Sequence, residues 1–387
     1  MRYATMSGVT GVLAALLAAP ASAAEPLRIG VHASFSGAAA IFAQGMQSAG
    51  ELAAEDVKSA GGLKIGGKTY EITLKAYDDK YKAQDAVTTM DRLIHEDNIR
   101  FVIGPLGSAA AVATRQKTSD AKVMTFTMAF SHRALGAEAP YAFRPVVTTG
   151  EFTDAQLDWV LKQAPVKKVR ALLPNDETGQ QMGAAGQKAY RSRGVTLDVD
   201  YFERERVDFV PLLTRVLPQA DALEIGGVAP LTTGLIIKQA RELGYKNPIF
   251  ITGGDVTAEV VKVAGKQATE GVYIHIPLDP KRPETAAFIA RYTKKYGHAP
   301  NGFTPFFYAA MQMLLQSIRN VDSVEDTGRI AKELASLKDF PTVLGRARWS
   351  GEKAYGINHQ IDLPFYVGQI RNGEAVTMAT CDPAACR

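Results

Sequence analysis

The sequence predicts an α/β protein made of two parallel-sheet halves of similar plan. Three observations carry that expectation. Short apolar runs alternate with amphipathic segments from Leu27 to Thr252. The alternation restarts after Arg144-Pro145, so the pattern is stated twice. Strand ends open onto glycine loops at Gly104-Pro105, Gly226-Gly227 and Gly253-Gly254. A repeated β/α alternation buries strands on both faces and gives parallel sheets covered by helices.

Residues 1–24 read as an export leader. Arg2 supplies a thin positive end, residues 11–19 are apolar, and Pro20 breaks the run before small residues Ala21, Ser22 and Ala23. Ala24 or Glu25 is the expected start of the mature chain. The apolar run is too short to span a bilayer, and no cysteine follows it that could carry a lipid. The mature chain is expected to be soluble and exported.

The elements follow in order. Leu27–Val31 reads as a strand and 45–60 as a helix carrying Met46, Leu52, Ala53 and Val57, stopped at Gly61-Gly62. A strand is expected at 70–77, ending in Asp78-Asp79, and a helix at 84–96 with Val87, Met90, Leu93 and Ile94 on one side. The stretch IRFVIGPLGSAAAVATRQK (99–117) is a strand, a glycine turn and a helix, with Ser108 placed to cap the helix. A strand at 123–127 and a loop through Ala129, Ser131 and His132 complete the first half. In the second, helices are expected at 152–163, 181–191, 209–216 and 234–243, and strands at 168–173, 195–201, 222–225 and 248–252. Asn175 to Gly179 reads as a loop, 272–276 as a strand crossing between halves, and 284–296 and 304–320 as long helices.

Composition narrows the function. Net charge is +4 over 387 residues, and removing the leader takes away Arg2 to leave +3. A near-neutral chain without a basic block is not built for nucleic acid. The only two cysteines, Cys381 and Cys386, close a CDPAAC tail, where a small local disulfide fits an oxidising compartment.

Motifs of chemistry are missing or out of context. GLKIGGKT at 62–69 matches the phosphate-loop pattern by letter, but a helix precedes it and a strand follows, the reverse of what phosphate binding needs. Lys68 should therefore sit on a hairpin-like turn. There is no G-x-G-x-x-G, no G-x-S-x-G and no H-E-x-x-H. Asp78-Asp79 lacks a calcium-loop pattern, so its expected role is turn formation. Weight shifts from catalysis to binding, with no cofactor and no metal expected. Open α/β sheets bind small ligands at their carboxyl edge, where helix starts favour anions, and Ser108 lies at such an edge.

The chain resembles the periplasmic substrate-binding proteins of ABC importers for branched-chain and other hydrophobic amino acids, the type I periplasmic binding proteins. The likeness rests on IGVHASFSGAAAIFAQGMQSAGELAAEDVKSAGG, LKAYDD, VIGPLGSAA, DFVPLLTRV, IIKQARELGY and GFTPFFYAAMQML, in that order over 27–369. It implies two Rossmann-like lobes joined by three hinge strands: lobe 1 at 25–146 plus 275–346, lobe 2 at 147–274 plus 347–387. By the resemblance, Ser108 and Ser131 hold a ligand carboxylate and the Ala129 carbonyl accepts from an ammonium group. Phe42 and Phe303 flank the ligand, and backbone near Val228 with the acid Asp255 completes ammonium recognition. It further implies a monomer in the periplasm that performs no chemistry and delivers its ligand to an ABC permease.

The chain departs from the family pattern in three places. Asn175 to Gly179 replaces an aromatic-glycine pair, Val228 stands where a larger residue is usual, and Asp255 is shorter than the usual glutamate. Each widens the cleft or moves its anionic group, so an aromatic acid competes with leucine as the expected ligand. Two readings from other classes are a ligand-sensing receptor or regulator and an exported hydrolase using Ser131-His132.

Overall fold

The structure is a computed structural model that describes residues 24–253 and 257–387. The expected leader, except Ala24, and Asp255 lie outside the described residues.

The first half contains β1 (Glu25–Ala33), α1 (Ala40–Ser59), β2 (Leu63–Ile65), β3 (Lys68–Asp78), α2 (Ala83–Asp91), β4 (Phe101–Leu106), α3 (Ser108–Asp120), β5 (Met124–Met128) and β6 (Ala142–Phe143). They form one sheet in the order β2-β3-β1-β4-β5-β6, parallel except for the β2-β3 hairpin. The second half contains α4 (Thr149–Gln163), β7 (Lys168–Pro174), α5 (Glu177–Arg191), β8 (Thr196–Phe202), α6 (Val210–Val216), β9 (Ala222–Gly226), α7 (Pro230–Glu242), β10 (Ile249–Thr252), α8 (Thr257–Ala264), α9 (Lys266–Thr269) and β11 (Tyr273–Ile276).

The remaining chain adds α10 (Pro283–Tyr296), α11 (Thr304–Val321), α12 (Thr327–Ser336), β12 (Phe340–Thr342), β13 (Gly345–Ser350), α13 (Glu352–Tyr355), β14 (Gln360–Asp362), β15 (Phe365–Arg371) and β16 (Glu374–Cys381). The second sheet runs β16-β15-β11-β10-β9-β7-β8, and β12-β13-β14 form a small sheet of their own.

The two parallel runs share one plan. In β3-β1-β4-β5 and in β8-β7-β9-β10 the second parallel strand of the half lies outside the first, and later strands lie on the first strand's other side. Each sheet therefore reverses direction once, between β1 and β4 and between β7 and β9. Ligands of open α/β sheets bind outside the carboxyl ends at these reversals.

Burial follows the apolar pattern. Ile29, Val31, Ile103 and Phe126 are covered on both sides of the first sheet, and Ala43, Met46, Ala49 and Val57 turn the inner face of α1 toward it. α11 is buried on nearly every side, because α1 and α12 both pack on it. α10 is tied to α1 through Tyr292 and Ser48 (3.0 Å) and the Arg291–Asp56 ion pair (2.7 Å).

Several elements differ from the sequence expectation. α1 starts at Ala40, five residues before the expected Gly45, with no side-chain cap at Ala39. Its first turn, Ala40 to Ala43, is apolar throughout and sends Phe42 to the cleft and Ala43 to the core, so no polar face marks the helix start. Ser108 is not the N-cap of α3: Gly107 holds that position with φ 97°, and the Ser108 hydroxyl is engaged elsewhere. The expected loop at 175–179 is half helical, because Asp176 caps α5 through the N–H groups of Thr178 (2.9 Å) and Gly179 (3.1 Å). β11, expected to cross between halves, is an inner strand of the second sheet, parallel to β10 and antiparallel to β15. No element was expected past Asn320, although α12 buries Ile330, Ala331 and Leu334 on one face and β13 alternates buried and exposed residues; β12 and β14, three residues each, are too short to show a period.

GLKIGGKT forms the β2-β3 hairpin, turning at Gly66-Gly67, with Lys68 paired to Glu25 in solvent. Cys381 and Cys386 are joined by a disulfide. No described helix is long and apolar enough to cross a membrane.

Candidate functional site

The carboxyl edges of the two sheets face each other across a cavity of about 210 Å³. Each sheet contributes the loops at its strand reversal: Ser36 to Ala39 after β1 and Gly107 after β4, then Thr178 after β7 and Gly227 to Ala229 after β9. The walls are mainly apolar. Phe42 meets Phe303 edge to face at 5.7 Å, and Leu106, Met128 and Phe130 continue that side. Val228 and Gly253 face them from the second sheet.

The loop after β3 is built with unusual care. Asp78 accepts from the N–H of Phe35 (2.9 Å) and of Lys80 (2.8 Å), and Asp79 accepts from Ser34 (2.5 Å) and from the N–H of Tyr81 (2.9 Å). These bonds hold Lys80 and Tyr81 at φ 52° and 59°, left-handed geometry that side chains other than glycine avoid. Burial raises the Asp79 pKa against those same hydrogen bonds. The turn role expected for Asp78-Asp79 is thus a specific one: it aims Tyr81 into the cleft. Gly107 makes room, since a Cβ there would sit 2.9 Å from the Tyr81 Cζ.

Opposite Tyr81 stands Arg204, from the loop after β8. Its guanidinium lies 4.4 Å from the Tyr81 ring centre. Nε donates to Asp176 (2.5 Å) and Nη1 to the Gly227 carbonyl (3.0 Å), so the group is fixed in place. Burial works against the charge on Arg204, but Tyr81 and Asp176 outweigh it and hold the pKa above the usual guanidinium value. Burial likewise raises the Tyr81 pKa, so its hydroxyl stays protonated.

The expected site residues divide into three groups. Phe42, Val228 and Phe303 line the cavity. Ser108, Ala129 and Ser131 lie just behind it. The Ser108 hydroxyl is fully buried, accepts from the N–H groups of Phe130 (3.0 Å) and Ser131 (3.1 Å), and accepts from the Thr178 hydroxyl of the opposite half (3.0 Å). Ser131 donates across the cleft to Glu177 (2.7 Å), and the Ala129 carbonyl accepts from Arg144 (3.2 Å). Asp255 is outside the described residues, although Gly253 lines the wall.

His132, the suggested base for Ser131, turns to Tyr355 with ring centres 5.2 Å apart, and burial lowers its pKa. Sequence reading missed Tyr81, Phe130 and Arg204. The first two adjoin stretches it had marked, Asp78-Asp79 and Ala129 to Ser131. Arg204 sits in the charged run FERER, which looks like an ordinary solvated loop.

A family model described as periplasmic binding protein matches residues 26–375. An amino acid binding protein of Pseudomonas aeruginosa is 27% identical over 329 residues, 83% of this chain and 85% of that protein. A Leu/Ile/Val-binding protein homolog of Brucella melitensis is 27% identical over 383 residues, 95% of each chain. Among solved structures, a leucine binding protein from Thermotoga maritima superposes with a TM-score of 0.81 at 21% identity, covering 92% of this chain and 99% of that one. A solute binding protein of an ABC transporter from R. palustris, in complex with benzoate, gives 0.80 at 19% identity over 94% and 98%.

Proposed function

Because the chain belongs to the periplasmic binding protein family, we propose that it captures a small hydrophobic carboxylate, a branched-chain or other hydrophobic amino acid, and delivers it to an ABC permease. The observation that carries this reading is the apolar cavity set where both sheets reverse, with the fixed Arg204 guanidinium in its wall. Relatives named for leucine, isoleucine and valine binding support the ligand class.

In this reading the lobes are 25–146 plus 275–346 and 147–274 plus 347–387, and the mature chain works as a periplasmic monomer after loss of 1–24. Ser108 and Ser131 exchange Thr178 and Glu177 for the ligand carboxylate, with the Ala129 carbonyl and Asp255 serving an ammonium group. Closure removes water from these charge-assisted hydrogen bonds and strengthens them. Burying Phe42 and Phe303 against the ligand contributes roughly 1.5–3 kcal/mol for each ring fully covered. No bond is made or broken.

An aromatic carboxylate is the second reading. Phe42, Phe130 and Phe303 offer three rings to one ligand, and Val228 leaves room opposite them. The benzoate complex of a similar fold is consistent with it.

Thermal unfolding of the mature chain against hydrophobic amino acids and aromatic acids tests both, since a ligand of the native state raises the midpoint. A panel in which no member shifts it would end the proposal.

A further inference from the structure

Behind the ligand cavity lies a smaller one of about 20 Å³, between β9 and helices α4 and α5. Glu224 lines it and is only 8% exposed. One carboxylate oxygen accepts from the Tyr190 hydroxyl (2.6 Å), the other from the Thr252 hydroxyl (3.1 Å). No cation pairs with it among the described residues. Burial raises the Glu224 pKa, with Tyr190 and Thr252 working the other way.

Two further polar atoms in the same wall, Gln156 Oε1 and Thr149 Oγ1, have no hydrogen-bond partner among the described residues. Gln156 is 3% exposed and Thr149 6%. Buried polar groups without partners are uncommon and call for an explanation. The space suffices for one water-sized group. Its oxygens are chiefly acceptors, so the group that satisfies them is a donor.

Met182 stands between the two cavities beside the Phe130 and Phe152 rings. Met182 lines the small chamber. Its thioether reaches the glycine turns of the ligand wall: Cβ atoms at Gly226, Gly227 and Gly253 would lie 2.7, 2.9 and 3.7 Å from Met182 atoms. Gly227 and Gly253 line the ligand cavity itself. An unbranched thioether changes rotamer easily, and these glycines set no side chain of their own against it.

We propose that this chamber is a subsite of the ligand cavity which takes one hydrogen-bond-donating group of the ligand, a protonated amine or a hydroxyl, onto Glu224 and Gln156, with Met182 as the movable part of the partition. The inference rests on the capture reading above and gives the ligand's donor an acceptor other than Asp255. An ammonium nitrogen brings up to three donors to these acceptors; a hydroxyl brings one.

Calorimetric titration of the refolded mature chain with matched pairs tests it: leucine with 4-methylpentanoate, phenylalanine with 3-phenylpropanoate, and 4-hydroxybenzoate with benzoate. In the unmodified chain the donor-bearing member of at least one pair should bind at least about tenfold tighter. Gln156→Met and Glu224→Gln should each reduce that gap to about threefold or less, while leaving the donor-free partner little changed. The amine pairs and the hydroxyl pair tell the two donors apart. Gln156→Met removes an unpaired acceptor, so it remains informative if Glu224→Gln does not fold. A gap that survives both changes, or a chain that binds pair members equally, overturns the subsite while leaving capture intact. Failure of every compound to bind overturns the capture reading and the subsite with it.

Discussion

Arg204 and Tyr81 come from loops on opposite sheets and meet face to ring at 4.4 Å, closing the cleft over the cavity. Neither depends on a ligand atom for its position: Asp176 and the Gly227 carbonyl fix the one, Asp79 the other. A desolvated cation–π contact contributes about 0.5–2 kcal/mol. Tyr81→Ala should therefore lower the closed-to-open ratio of the free protein by about 2- to 30-fold. Small-angle scattering reads the closure. Unchanged closure in Tyr81→Ala would show the contact to be incidental.

Ser108→Ala should lower stability even without ligand. The change leaves the buried N–H groups of Phe130 and Ser131 unpaired, at about 1–3 kcal/mol each. Urea unfolding of the free protein measures this. A variant as stable as the parent, but weak in binding, would instead make Ser108 a ligand contact alone.

Arg144 is fully buried and holds three groups at once: the carbonyls of Ala129 and Ser131 and the Gln360 side chain. Arg144→Met should cost about 3–5 kcal/mol, the range for breaking a buried charged network. Arg348→Ala removes a solvent-exposed pair with Asp362 and should stay within about 0.5 kcal/mol. Comparable losses in the two variants, from chemical unfolding curves, would contradict the assignment.

Three buried histidines make stability fall with acid. Burial lowers the pKa of His32 and of His359 to about 4 and of His275 to about 3. Unfolded histidines take up protons near pH 6.5, so between that value and about 4 the unfolded chain binds more protons and stability drops as pH falls. Each contributes a slope of up to about 1.4 kcal/mol per pH unit. His275 stacks on Phe152 (4.4 Å) with both ring nitrogens unpartnered among the described residues, so His275→Phe should remove its share of the slope. Unfolding at pH 5 and pH 7 gives the comparison, and an undiminished slope would count against it.

The fold was legible because its signal is repeated: strands such as Phe101–Leu106 and Ala222–Gly226 are short, mainly apolar runs closed or followed by glycine. The strand order was not, since register and crossover depend on which helix covers which face. Of the residues that line the cavity, Phe42, Val228 and Phe303 were named through a family resemblance. Arg204 and Tyr81 were not, because their role comes from meeting across the cleft, and no local pattern records that. Glu224 was hidden for a similar reason: ALEIG reads as a plain core strand until Tyr190 and Thr252 are seen to cover its one acid.

The contacts that bridge the cleft, Ser108 to Thr178 (3.0 Å) and Ser131 to Glu177 (2.7 Å), join protein to protein. Their consequence is kinetic. A ligand can enter only while they are broken, so association is gated by the opening rate of the protein and not by diffusion. The observed rate should level off as ligand concentration rises, and the plateau is the opening rate itself. The measured dissociation constant is then the intrinsic one divided by the fraction of time the cleft stands open. Weakening a bridging pair would speed capture and leave release unchanged, because the bound form has already given these contacts up, making those two hydroxyls the clock of uptake.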